Sequence, residues 1–181
     1  MSEQTIVRIG AEGLATPSVA VLEFATAALS ELLKNMKDTM LARNGVGIAA
    51  PQIGINLRVI MFGFDHNPRY PNEKPVPFTI LINPEIEFLS EEIEEQWEGC
   101  LSVPGLRGLV PRYTKLNYSG FDEQGNKISG IAEGFHARVI QHEMDHINGK
   151  VYPMRIKDLK NFGFEDLLAE RIWGKPLADF K

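Results

Sequence analysis

Apolar and polar positions along this chain alternate with two periods. Leu29, Leu32, Leu33, Met36 and Met40 recur at helical spacing as a stripe on one face, and the pattern stops at Asn44-Gly45. A helix is therefore expected from about Val21 to Arg43. Leu57 to Phe64 and Phe78 to Asn83 are short, apolar and β-branched and read as strands. Asp65 to Pro77 between them, rich in proline and polar residues, reads as a surface loop. Ile86 to Glu98 mixes isoleucine, phenylalanine and tryptophan with acids. Leu116 to Phe121 and Lys127 to Ile131 flank a turn at Asp122 to Asn126 and predict a hairpin. A second helix is expected from about Glu133 to Ile147, ending at Asn148-Gly149, and a weaker helical pattern covers Phe164 to Trp173. Helices set apart from runs of antiparallel strands give an α+β class.

Composition narrows what such a fold can do. With 181 residues, 44% hydrophobic and 24% charged, the chain fits one globular domain, 1–181, whose last stretch, 156–181, is a partly helical tail. A net charge of −5 provides no basic field for sequence-specific nucleic acid or an anionic membrane. No apolar run reaches the ~20 residues of a membrane helix, and MSEQTIVRIG lacks the pattern of a signal peptide. A cytoplasmic protein without a membrane partner is the expectation. The single cysteine, Cys100, excludes an intrachain disulfide, and its default role is a small buried hydrophobe.

The second expected helix carries the chemistry. In His142-Glu143-Met144-Asp145-His146 the two histidines stand at i and i+4, one turn apart on one face, so both imidazoles can meet one cation. Glu143 sits about 100° further round the helix, within reach of a water on that cation without being a ligand. Ile140, Met144 and Ile147 form an apolar stripe on the opposite face. A catalytic site of this kind takes a third protein ligand and leaves one position open. His136, His66 and Cys100 are the candidates, and Cys100 would give a thiolate-imidazole set suited to iron(II), cobalt, nickel or zinc. Asp145 should face away from the cation and fix a neighbouring loop. The acidic run Glu91 to Glu95 reads as a solvated face, and Trp97 as core or pocket wall.

Three segments in order, Gly45-Val-Gly-Ile-Ala-Ala-Pro-Gln52, Glu98-Gly-Cys-Leu-Ser102 and Gln141-His-Glu-Met-Asp-His-Ile-Asn-Gly149, resemble the signature segments of the peptide deformylases. The resemblance implies antiparallel β-sheets packed around a central metal-bearing helix, with an N-terminal helix. It implies Cys100, His142 and His146 as ligands of one divalent metal ion, typically Fe(2+), with Zn(2+), Ni(2+) or Co(2+) as alternatives in purified protein. Glu143 becomes the general acid/base, and Gln52 with the backbone N–H of Leu101 the oxyanion hole. The implied reaction removes the N-formyl group from N-formylmethionyl nascent peptides and releases formate. Gly45, Val46, Gly47 and Ile48 would pair with the extended substrate as an added strand, with Gly99 beside them. Arg107 is expected both in an ion pair with Glu98 and at the substrate. Phe135 and Val139 would line the methionine pocket. Arg138 stands where the family often has an apolar residue, and its guanidinium is expected to snorkel to the rim and polarise one side. The tail from Lys157 to Lys181 has five Lys/Arg and five Asp/Glu, so docking on the ribosome through a basic tail should be weak. A metalloprotease shares the H-E-x-x-H geometry, and an inactive deformylase-like metal-binding protein is the non-enzymatic rival. Cys100 argues against the first, and the presence of Glu143 and Gln52 against the second.

Overall fold

The computed structural model describes residues 3–174. The expected tail therefore falls partly outside the described residues, from 175 to 181. Among the described residues eight strands form two antiparallel sheets. In the larger, β1 (Gly47–Ala49), β2 (Val59–Phe64), β3 (Val76–Phe88), β6 (Lys115–Phe121) and β7 (Lys127–Glu133) lie in the order β1-β2-β3-β6-β7. The smaller has β4 (Ile93–Cys100), β5 (Val103–Tyr113) and β8 (Phe162–Phe164) in the order β4-β5-β8. Helix α1 (Ala27–Ala42) precedes the sheets, α2 (Phe135–Ile147) lies between them, and α3 (Ala169–Trp173) is a short C-terminal turn. The class is α+β. Among the described residues no helix is long and apolar enough to cross a membrane.

Helix α2 is seated by the stripe read from the sequence. Ile140, Met144 and Ile147 are buried with Phe62, Leu81 and Leu116 of the larger sheet. Each such side chain taken fully from water contributes about 1.5–3 kcal/mol. The α1 stripe packs on the other face of that sheet, with Ile48, Val59, Met61 and Ile82. A smaller core of Cys100, Val103, Val110 and Tyr152 lies under the second sheet.

Several boundaries differ from expectation, each for a local reason. Helix α1 begins at Ala27 because Thr26 caps it, its side chain accepting from the Leu29 N–H at 3.1 Å. Upstream, the Val21 backbone is held extended by the side chain of Asn83, which accepts from Val21 N–H and donates to its carbonyl, both at 2.9 Å. Helix α2 begins two residues late because β7 runs on to Glu133 and Gly134 turns the chain at φ 56°, a conformation that favours glycine. Strand β3 starts inside the expected loop and continues beyond Asn83 through a register shift between Ile82 and Glu85. Strand β5 has no alternating pattern to announce it, being dotted with Pro104, Gly105, Gly108 and Pro111. In the tail, Phe162–Phe164 pairs with β5, and helix is confined to Ala169–Trp173.

Candidate metal centre and cleft

Helix α2 and the end of β4 meet at the three residues with metal-ligating atoms. The ligand atoms of Cys100, His142 and His146 all lie within 4.8 Å of one another. Cys100 Sγ is 3.2 Å from His146 Nε2, and the two imidazole centroids are 5.1 Å apart. Cys100 reaches them because the β4–β5 register shifts after Glu98, so that Cys100 ends the strand at a tight turn, Leu101-Ser102. Of the other candidates, His66 is on an exposed loop and His136 packs between Phe62 and Tyr118, at 5.4 and 5.8 Å. One thiolate and two imidazoles match a borderline-soft divalent cation, and three ligands leave a position open. Burial opposes ionisation of the Cys100 thiol, but the neighbouring His146 and His142 outweigh it and hold the thiol well below its ordinary range.

Glu98 orients this set. Its Oε2 lies 2.9 Å from His142 Nδ1, which turns the Nε2 of that ring to the ligand side. Burial alone would raise Glu98, yet Arg112, bonded through Nε and Nη2 at 2.9 and 3.0 Å, keeps it well below the usual carboxylate range. Arg112 also donates to Asp145 at 2.7 Å, and Arg155 donates to the same carboxylate. Asp145 thus faces away from the ligand set and holds the turn after α2.

Two sequence expectations change here. Arg138 does not reach the rim. It is buried, and its guanidinium donates to Glu98 Oε1 at 2.8 Å, to the Val110 carbonyl at 2.9 Å and to the Glu94 carbonyl at 2.7 Å. Two fixed carbonyls and a carboxylate outcompete a water-exposed position, and the stem is left as wall. Arg107 does not pair with Glu98, which Arg112, Arg138 and His142 already engage. It bonds Glu165 at 3.2 Å and the Tyr70 hydroxyl at 3.4 Å.

Glu143 faces the edge strand β1. A Cβ on Gly47 would overlap Glu143 Oε1, so glycine is what lets that backbone approach the carboxylate. Burial pushes the Glu143 carboxyl up to about 7 despite the attraction of His142 and His146, and its Oε2 is buried without a partner. Gln52 stands across the cleft on a short 3-10 turn. Its Oε1 accepts from the Ala49 N–H at 2.8 Å, which aims Nε2 at Cys100 Sγ (3.5 Å) and Ser102 Oγ (3.3 Å). The N-terminal segment straps both sides of this arrangement, with Val7 N–H donating to Gln52 O and Ile9 N–H to Ser102 O, each at 2.8 Å.

These groups open into a cleft. Gly45, Val46 and Gly47 form one wall, Gly99 and Leu101 another, and Phe135, Arg138 and Val139 the helix side. Ile48 is not on the lining; its side chain is fully buried against α1, so only its backbone belongs to the edge. Sequence reading missed Arg69 and Tyr70, which come from the proline-rich segment and also line the cleft. Tyr70 packs on Phe135 with centroids 4.8 Å apart, and buried Asn67 donates to the Asn44 carbonyl at 3.0 Å. The aromatic residue inside an otherwise polar run was the available signal. Ser102, the acceptor beside Gln52, was visible in the second segment but was given no role.

Comparison with known proteins agrees over most of the chain. The family model described as polypeptide deformylase matches residues 3–162. Peptide deformylase 1 of Nitrosomonas europaea is 53% identical over 174 residues, covering 96% of this chain and 97% of the relative. Peptide deformylase 2 of Ralstonia nicotianae is 55% identical over 163 residues, 90% of this chain and 92% of the relative. Among solved structures, a class I type b peptide deformylase from Acinetobacter baumannii bound to Met-Ala-Ser superimposes with a TM-score of 0.83 at 40% identity, covering 86% of this chain and 100% of the other.

Proposed function

This chain belongs to the polypeptide deformylase family, and we propose how its own residues divide the work of that reaction. It is a metal-dependent amide hydrolase that removes the formyl group from N-formylmethionyl N-termini and releases formate. Cys100, His142 and His146 would hold one divalent ion, with Fe(2+) our choice in the cell and Zn(2+), Ni(2+) or Co(2+) its substitutes in purified protein. When bound, the ion acidifies water and polarises the formyl carbonyl.

Glu143 relays the proton from water to the leaving amine. Its partnerless Oε2 accepts one from the attacking water and returns it to the departing amine, which leaves poorly without it. A carboxyl near neutrality can do both. Gln52 Nε2, aimed by the Ala49 N–H, and the Leu101 N–H would donate to the formyl oxygen as its charge grows. The substrate backbone would extend along Gly45 to Ile48, with its methionine side chain against Phe135, Val139 and the Arg138 stem, and with Gly99 and Arg107 on the facing wall. Buried Arg138 adds no free charge to that pocket, so methionine is preferred over glutamate there. The substrates are nascent chains, which places the enzyme in the cytoplasm; with a net-neutral tail, ribosome contact is weak.

The observation that carries this reading is the meeting of one thiol and two imidazoles beside a partnerless buried carboxylate. Anaerobically purified, iron-loaded protein should release formate from formyl-Met-Ala-Ser and leave internal peptide bonds intact. Internal cleavage without formate would overturn it.

A further inference from the structure

A second hollow runs from the cleft at Gly99, Cys100 and Leu101 along the N-terminal segment to Glu165. On a chain of net charge −5 its charged lining is mostly arginine: Arg8, Arg43, Arg69 and Arg107 against Glu3 and Glu165. Two of these cations are committed. Arg43 pairs with Glu3 at 2.6 Å, and Arg107 with Glu165 at 3.2 Å. Arg8 and Arg69 have no carboxylate partner among the described residues, Arg69 lying only over the Tyr70 ring at 5.8 Å.

Both are held in place by backbone tied to the site. Arg8 lies between Val7 and Ile9, whose N–H groups donate to the carbonyls of Gln52 and Ser102. The Arg69 N–H donates to the Asn67 side chain at 2.9 Å, and Asn67 in turn donates to the carbonyl of Asn44, next to the edge strand. Arg69 lines both the cleft and the groove and so stands where an extended peptide leaves one for the other.

We propose that this groove receives the polypeptide downstream of the formylated methionine, and that Arg8 and Arg69 favour acidic side chains there. The proposal rests on the deformylase reading and adds a charge preference to it. Arg8 and Arg69 are specificity-determining residues, remote from the bond that breaks.

The test uses iron-loaded enzyme and formyl-Met-Ala-Ser-Ala-Ala, with aspartate or lysine walked through the third to fifth positions and formate as the readout. At about 20 mM salt, kcat/KM at the best position should favour aspartate over lysine about three- to tenfold, the scale of two exposed ion pairs. That ratio should shrink towards one at about 0.5 M salt. The double variant R8E/R69E should invert it, and the single variants R8Q and R69Q should each lower it. A ratio near one at every position in low salt, or a ratio unchanged in R8E/R69E, overturns the groove assignment while the all-alanine peptide still reports deformylation. No formate from the all-alanine peptide overturns the deformylase reading itself.

Discussion

Glu143 and Gln52 stand on opposite sides of the cleft, and the roles proposed for them are separable by substitution. Glu143→Gln keeps the shape and all three metal-ligating residues but removes the proton acceptor. Its kcat should fall by about 10²–10⁴-fold with metal content unchanged, measured by formate release alongside metal analysis. Gln52→Leu removes one donor to the formyl oxygen and should cost about 3 kcal/mol of barrier, roughly a hundredfold in kcat. KM should move little, because the donor matters most when charge builds on that oxygen. The two histidines and Glu143 were legible in the sequence because a helix turns their spacing directly into geometry. Ser102 was not, because it acquires its role from Gln52, 50 positions earlier; nor was Arg69, because Asn67, which holds it, is itself tied to Asn44, 23 positions earlier.

Helix α2 is fastened to the smaller sheet by charge as well as by apolar burial. Arg112 on β5 bridges Glu98 on β4 and Asp145 on α2, and all three side chains are buried. Arg112→Met would leave Glu98 without its main partner and Asp145 with Arg155 alone, and should destabilise the fold by about 3–5 kcal/mol, read from denaturant melts. Asp145 adds a pH dependence. Burial would raise its carboxyl, but Arg155 and Arg112 hold it below its ordinary value. Its stabilising contribution is therefore complete above the unfolded value of about 4 and is lost as pH falls through the lower folded value. Melting temperatures of wild type and Asp145→Asn should converge on acidification through that window. The helices and the β6–β7 hairpin were readable from periodicity. Strand β5, which supplies Arg112, was hidden by its prolines and glycines, and with it the partner of Glu98.

Charge over the whole molecule is divided unevenly: acids along Glu91–Glu95 are exposed, and arginines gather near the cleft. From Lys157 to Lys181 the five cations and five acids cancel, so protein mixed with ribosomes should stay in the supernatant on pelleting at both low and moderate salt. Salt-sensitive co-sedimentation would show that another surface docks. The α+β class was legible because helical and strand patterns occupy different stretches; the layering was not, since no local pattern says that α2 lies between two sheets. Glu98 joins the layers most closely, one carboxylate oxygen shared by His142 and Arg112 and the other by Arg138 and Arg112. Drug resistance is where that sharing matters. On the proposed function, a mutation at position 138 that reshapes the methionine pocket to exclude an inhibitor would also release one side of the carboxylate that holds His142, a proposed metal ligand. Escape through that wall would then weaken metal retention, whereas escape through Val139, whose side chain has no polar atom to lose, would not.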